Sequence, residues 1–178
     1  MNIANKITLV RIFLVPVFLL FMLTDFTAYN SIIAFVVFVI ATLTDKIDGT
    51  IARKYNLVTD FGKFLDPIAD KLLVCSALIC LTADGTIPAW ITIVIIGREF
   101  IISAFRLVCA DTGKTVAASL WGKSKTIAQI VTIIVLLLNI AQLKILEDIL
   151  IYVSLVLTVV SLVDYFLKNK EVLKECSK

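Results

Sequence analysis

TDKIDGTIARKYNLVTDFGKFLDPIAD, residues 44–70, carries five aspartates, at 45, 48, 60, 66 and 70, between segments that are apolar on both sides. The apolar run before it extends only from Ser31 to Thr44, about 21 Å of helix at 1.5 Å per residue, which is short of a bilayer's hydrocarbon core. Asp45 and Asp48 are therefore expected several ångströms inside the inner boundary of a membrane. Counting the next apolar run inward from Thr82 puts Asp70 at a similar depth, about 18 Å from the outer edge. Charged groups at that depth are costly, and they face a wet cavity or one another. Asp45 and Asp48 are spaced i,i+3 and Asp66 and Asp70 i,i+4, so each pair occupies one face of its helix.

Composition sets this stretch in a membrane. Of 178 residues, 60% are hydrophobic, with a mean hydropathy of +1.02, against roughly 45–50% apolar residues in a soluble domain. Six apolar stretches, about 7–23, 31–52, 64–82, 88–109, 125–141 and 149–167, each approach the ~20 residues that cross ~30 Å as a helix. The expected architecture is an all-α, six-span integral membrane protein with a single domain, 1–178. Of 17 Lys and Arg, only Lys144 falls at the end opposite the termini. The positive-inside rule then places both termini and the acidic stretch on the cytoplasmic side of a cell membrane. The opening MNIANK reads as a helix start on the inner surface or a frayed terminus, and no cleavage site follows Leu23. A net charge of +3 with no basic run interleaved with aromatics gives no sign of a nucleic-acid partner. There is no histidine, which excludes a His base and His metal ligands. Cys75, Cys80, Cys109 and Cys176 form no C-x-x-C and read as packing residues.

If the two acid-bearing helices lie side by side, four carboxylates converge, and they would repel one another unless cations sit between them. Hard oxygen ligands suit Mg²⁺ or Mn²⁺, and four carboxylates are enough for two ions. The competing reading is salt bridging to Lys46, Arg53, Lys54, Lys63 and Lys71; against it, the acids keep helical spacing while the bases are scattered. Gly49 and Gly62 are poor residues for helix interiors. Their place beside the acids suggests that a bulky group lies against the backbone, with room for a nucleotide diphosphate.

Asp45-x-x-Asp48-Gly49-x-x-Ala52-Arg53, eight residues, then Gly62-x-x-x-Asp66-x-x-x-Asp70 resembles, at every position, the signature of the CDP-alcohol phosphatidyltransferases. The resemblance implies a six-span fold and a two-metal site, Mg²⁺ or Mn²⁺, that grips the pyrophosphate of CDP-diacylglycerol. It implies that Asp45, Asp48, Asp66 and Asp70 are metal ligands and that Asp70 is also the general base. Gly49, Ala52, Arg53 and Gly62 would line the nucleotide and phosphate pocket, with Thr59 as a further hydroxyl contact. The family also implies a homodimer. With no histidine, a carboxylate beside the metals is the natural base for an attacking alcohol.

The second half should choose the alcohol. Arg98 lies about 15 Å from the outer end of the fourth stretch, where an unpaired arginine is expensive. Arg106 is two turns nearer the cytoplasm, and Lys123 and Lys125 open the fifth stretch. Four cations suggest a second bound anion, and the planar fork of arginine suits phosphate. A phosphorylated acceptor such as sn-glycerol 3-phosphate would use them; serine, choline or ethanolamine would not. NIANKITLVRIFLVPVF (2–18), GREFIISAFRLV (97–108) and AASLWGKSKT (117–126) resemble the bacterial members of the family that take sn-glycerol 3-phosphate. Asn5, Thr8 and Arg11 could lean toward the same cavity. The competing reading of Arg98 is a pair with Glu99, and of the lysines, membrane anchors. The functional alternatives are sister enzymes, CDP-diacylglycerol-dependent cardiolipin synthases or phosphatidylinositol phosphate synthases, and, from another class, a divalent-cation carrier. A carrier would need a path to the outer face, where acids occur only in loops, at Asp25, Asp84, Glu147 and Asp148.

Overall fold

A computed structural model describes residues 3–24, 26–54, 60–111 and 119–170, with side chains described for 8–24, 26–44, 68–109 and 119–170. Among these the chain is all-helical. Six long helices follow one another: α1 (Ile3–Leu23), α2 (Asn30–Lys54), α3 (Asp60–Ala83), α4 (Ala89–Asp111), α5 (Leu120–Leu138) and α6 (Lys144–Lys168), with a short 3-10 turn at Ala141–Leu143. The first helix runs unbroken from Ile3 into the apolar stretch, so among the described residues the opening is part of α1.

The turns carry the residues that stop helices. Gly85 (φ +76°) ends α3. Its N–H donates to the Thr82 carbonyl and that of Thr86 to Leu81, the paired bonds of a Schellman cap. Pro88 precedes α4, where its missing N–H costs nothing, and its carbonyl takes the N–H of Ile91. Asn139 closes α5 at φ 46°, a conformation asparagine tolerates.

The chain forms two compact units. One contains α1, α2, α3 and the last turns of α5; the other contains α4, the rest of α5, and α6. In the first, α1 packs on both α2 and α3. The buried row on α1 is Thr8, Arg11, Val15 and Phe18; on α2 it is Asn30, Ala34, Phe38 and Ala41. Phe18 meets Phe38 with ring centroids 5.9 Å apart, between alanines that let the helices approach. Arg11 is 0% exposed, and its Nε donates to the Ala41 carbonyl at 3.2 Å. Phe18→Ala should cost about 3 kcal/mol through the cavity it leaves, read as a melting temperature lower by several degrees in detergent.

In the second unit α4 packs on α6. The buried row on α6 runs Glu147, Ile151, Ser154, Thr158, Ser161, Tyr165, in alternating steps of four and three. Its small hydroxyl residues meet α5: Thr132 Oγ1 and Ser154 Oγ share a hydrogen bond at 2.8 Å, and Gln129 Nε2 donates to Thr158 Oγ1 at 3.5 Å. Small residues allow close approach, and hydroxyls can bond between helices, where lipid offers no partner.

Outside these rows large apolar side chains stand exposed, among them Phe13, Ile93, Phe100, Ile149, Val156, Val163 and Leu167. Large apolar side chains exposed in such number on both units suit a chain solvated by lipid. Among the described residues two segments are long and apolar enough to cross a bilayer, Leu120–Leu138 and Ala141–Lys168, while Thr8–Leu23 and Asn30–Thr44 are shorter apolar helices.

Candidate active site

The acids lie on regular helix, as their spacing requires. Asp45 and Asp48 fall within α2 and Asp66 and Asp70 within α3. Asp45 and Asp48 are four and seven residues beyond Ala41, the last described residue of the row Ala34, Phe38, Ala41 that α2 turns to α1. Asp70 stands in register with the buried Leu73 and Ala77 of α3. Arg11 binds the carbonyl one turn before Asp45, and Thr8 is buried one turn before Arg11. Both belong to the packed face that leads into the acidic segment, and Asn5 has no described side chain.

Asp70 is half-buried. The side chains of Asp45, Asp48, Gly49, Ala52, Arg53, Gly62 and Asp66, and all of Thr59, lie outside the described residues. Among the described residues no three of His, Cys, Asp and Glu form a metal-holding group, and Asp70 alone of the four acids is counted there. Carboxylates are hard oxygen donors, the ligand type that Mg²⁺ and Mn²⁺ take, and the two helices that bear the four acids belong to one unit.

Arg98 and Lys125 come together in the second unit, both buried, at 9% and 1% exposure. Glu99 joins them: Arg98 Nη1 donates to Glu99 Oε1 at 2.9 Å, and Lys125 Nζ donates to the same oxygen. The Arg98–Glu99 pair weighed as the alternative to phosphate binding is thus present. It leaves the Nε of Arg98 buried without a hydrogen-bond partner among the described residues. Arg106 is exposed, with its guanidinium carbon 6.0 Å from the centre of the Tyr165 ring. Lys123 is exposed and takes no part in the cluster.

Two contacts are not legible in the spacing. Lys125 reaches Glu99 across 26 positions, and Ser119, just before α5, donates to Asp164, which also pairs with Lys168 at 3.0 Å. The partner in each case, Glu99 on α4 for Lys125 and Asp164 on α6 for Ser119, is chosen by packing between helices.

Residues 1–160 match the family described as CDP-alcohol phosphatidyltransferase. Curated relatives match nearly the full length. A CDP-diacylglycerol–glycerol-3-phosphate 3-phosphatidyltransferase of Bacillus subtilis is 46% identical, over 97% of each chain. A probable phosphatidylglycerophosphate synthase of Mycobacterium tuberculosis is 39% identical, over 92% of this chain and 79% of its own. A CDP-diacylglycerol–glycerol-3-phosphate 3-phosphatidyltransferase of Rickettsia bellii is 36% identical, over 93% of each.

Proposed function

This chain belongs to the CDP-alcohol phosphatidyltransferase family, and on that premise we propose that it makes phosphatidylglycerophosphate and CMP from CDP-diacylglycerol and sn-glycerol 3-phosphate. The observation that carries the choice of acceptor is the 46% identity, over 97% of both chains, to an enzyme named for that reaction. The chain is then a transferase of phospholipid biosynthesis. We read all six helices as spans, with both termini and the acidic segment cytoplasmic, on the asymmetry of Lys and Arg. The homodimer is an inference from the family alone.

In this reading Asp45, Asp48, Asp66 and Asp70 would hold two divalent ions, Mg²⁺ or Mn²⁺. Such ions, when bound, neutralise a pyrophosphate and the charge that builds on a leaving phosphate. Gly49, Ala52, Arg53, Thr59 and Gly62 would hold the CDP moiety, the glycines leaving the backbone open to it. Asp70 would take the proton from the attacking hydroxyl of the acceptor. That oxygen bonds to the β-phosphorus, and the bond from the phosphorus to CMP breaks, so CMP departs with the electron pair. Arg98 and Lys125 would hold the acceptor's phosphate, with Arg106 and Lys123 nearer its approach.

Arg98→Ala is expected to raise KM for sn-glycerol 3-phosphate by about tenfold or more, the worth of a charge-assisted hydrogen bond of ~1.5–3 kcal/mol. KM for CDP-diacylglycerol should hardly move. Arg98→Lys should recover part of the loss, because an ammonium cannot offer a fork.

The function itself is tested by CMP release from the purified chain with a panel of acceptors: sn-glycerol 3-phosphate, phosphatidylglycerol, inositol phosphate and serine. Release with the first alone is expected. Release with phosphatidylglycerol or inositol phosphate, and not with sn-glycerol 3-phosphate, would move the chain to a sister enzyme.

A further inference from the structure

Glu99 has no part in the reaction as assigned so far, although its carboxylate joins the two buried cations. Both meet one oxygen, Oε1. Adjacent residues on a helix do not face each other, so Arg98 must turn sideways around α4 to reach its neighbour. It does so through Nη1, the terminal nitrogen on the side away from the Nε–H. The opposite edge, Nε with Nη2, is the one that donates two parallel hydrogen bonds to an oxyanion. Nε on that edge is buried without a partner among the described residues, an arrangement that is costly unless a ligand completes it. Nη2 lies over Gly122 of α5, 3.7 Å from where a β-carbon would stand there. Gly122 is one turn before Lys125 on the same face of α5, so the absent side chain leaves room beside the guanidinium. Among the described residues the cluster holds two cations and one carboxylate.

Resting on the function proposed above, we propose that Glu99 is a positioning residue for the acceptor's phosphate. Its single oxygen turns Arg98 and fixes Lys125, so that the Nε–Nη2 edge is presented to a phosphate group that Glu99 does not touch. A carboxylate on that edge would compete with the phosphate; a carboxylate on Nη1 leaves the edge to the ligand.

The rival role is simple charge neutralisation, and it has the opposite sign. Removing a counter-charge from two cations should strengthen anion binding, whereas removing a positioner should weaken it. The test is CMP release by the full chain in detergent–lipid micelles, with each substrate varied in turn. For Glu99→Gln, KM for sn-glycerol 3-phosphate should rise by about tenfold, while KM for CDP-diacylglycerol stays within about twofold. Glu99→Asp keeps the charge that the buried cations need but shortens the reach by one methylene, and should raise the acceptor KM severalfold. A lowered or unchanged acceptor KM in Glu99→Gln overturns the proposal, as does an equal rise in both KM values. If Glu99→Gln does not accumulate, Glu99→Asp decides, and an acceptor KM equal to that of the unaltered chain overturns it. Failure of the unaltered chain to release CMP with sn-glycerol 3-phosphate would instead reject the proposed function itself.

Discussion

Asp70→Asn is expected to lower kcat by about a thousandfold while leaving KM for CDP-diacylglycerol within a few-fold, because general-base catalysis contributes roughly 10²–10⁴ in the transition state and little to ground-state binding. The asparagine keeps the size of the side chain and an oxygen that can ligate, but it cannot accept the hydroxyl proton. Asp70 is only half-buried on a regular part of α3, so the variant should insert and melt like the parent. Initial rates with each substrate varied, together with a melting curve, check this. A pure KM effect would make Asp70 a binding residue and place the base elsewhere.

Asp66→Asn is expected to reduce turnover by several orders of magnitude by another route. On the proposed assignment it removes one carboxylate from the four that would share two ions, so a charge and a ligand would be lost together. Binding of Mn²⁺ to the purified protein, followed by electron paramagnetic resonance, should weaken in parallel with the loss of rate. Raising Mg²⁺ should restore part of the activity in Asp66→Asn and none in Asp70→Asn. Normal turnover of Asp66→Asn at limiting Mg²⁺ would contradict the two-metal assignment.

The helices follow closely from hydropathy and helical period, since apolar stretches bounded by Gly, Pro and Asn turns end where those turns are. The apolar stretch expected at 125–141 is helical from Leu120, because Gly122, Lys123 and Lys125 lower the hydropathy of its start without breaking the helix. The aspartate pairs stand on α2 and α3 at the spacings that suggested a shared face. That feature is local, and a helix preserves it. The partners of Arg98 are of a different kind. Its bond to Glu99 is the competing reading weighed from the sequence, made although neighbours on a helix do not face each other, and the bond from Lys125 to Glu99 depends on how α4 and α5 pack. Spacing within one segment cannot specify contacts between helices.

The most direct measurement follows the phosphorus. CDP-diacylglycerol labelled at its β-phosphorus is given to the purified chain with sn-glycerol 3-phosphate and Mg²⁺. The label is expected in phosphatidylglycerophosphate, formed in equal amount with unlabelled CMP, and only when the acceptor is present. Label appearing in phosphatidic acid without need of the acceptor would make the chain a hydrolase of CDP-diacylglycerol and contradict phosphatidyl transfer to sn-glycerol 3-phosphate.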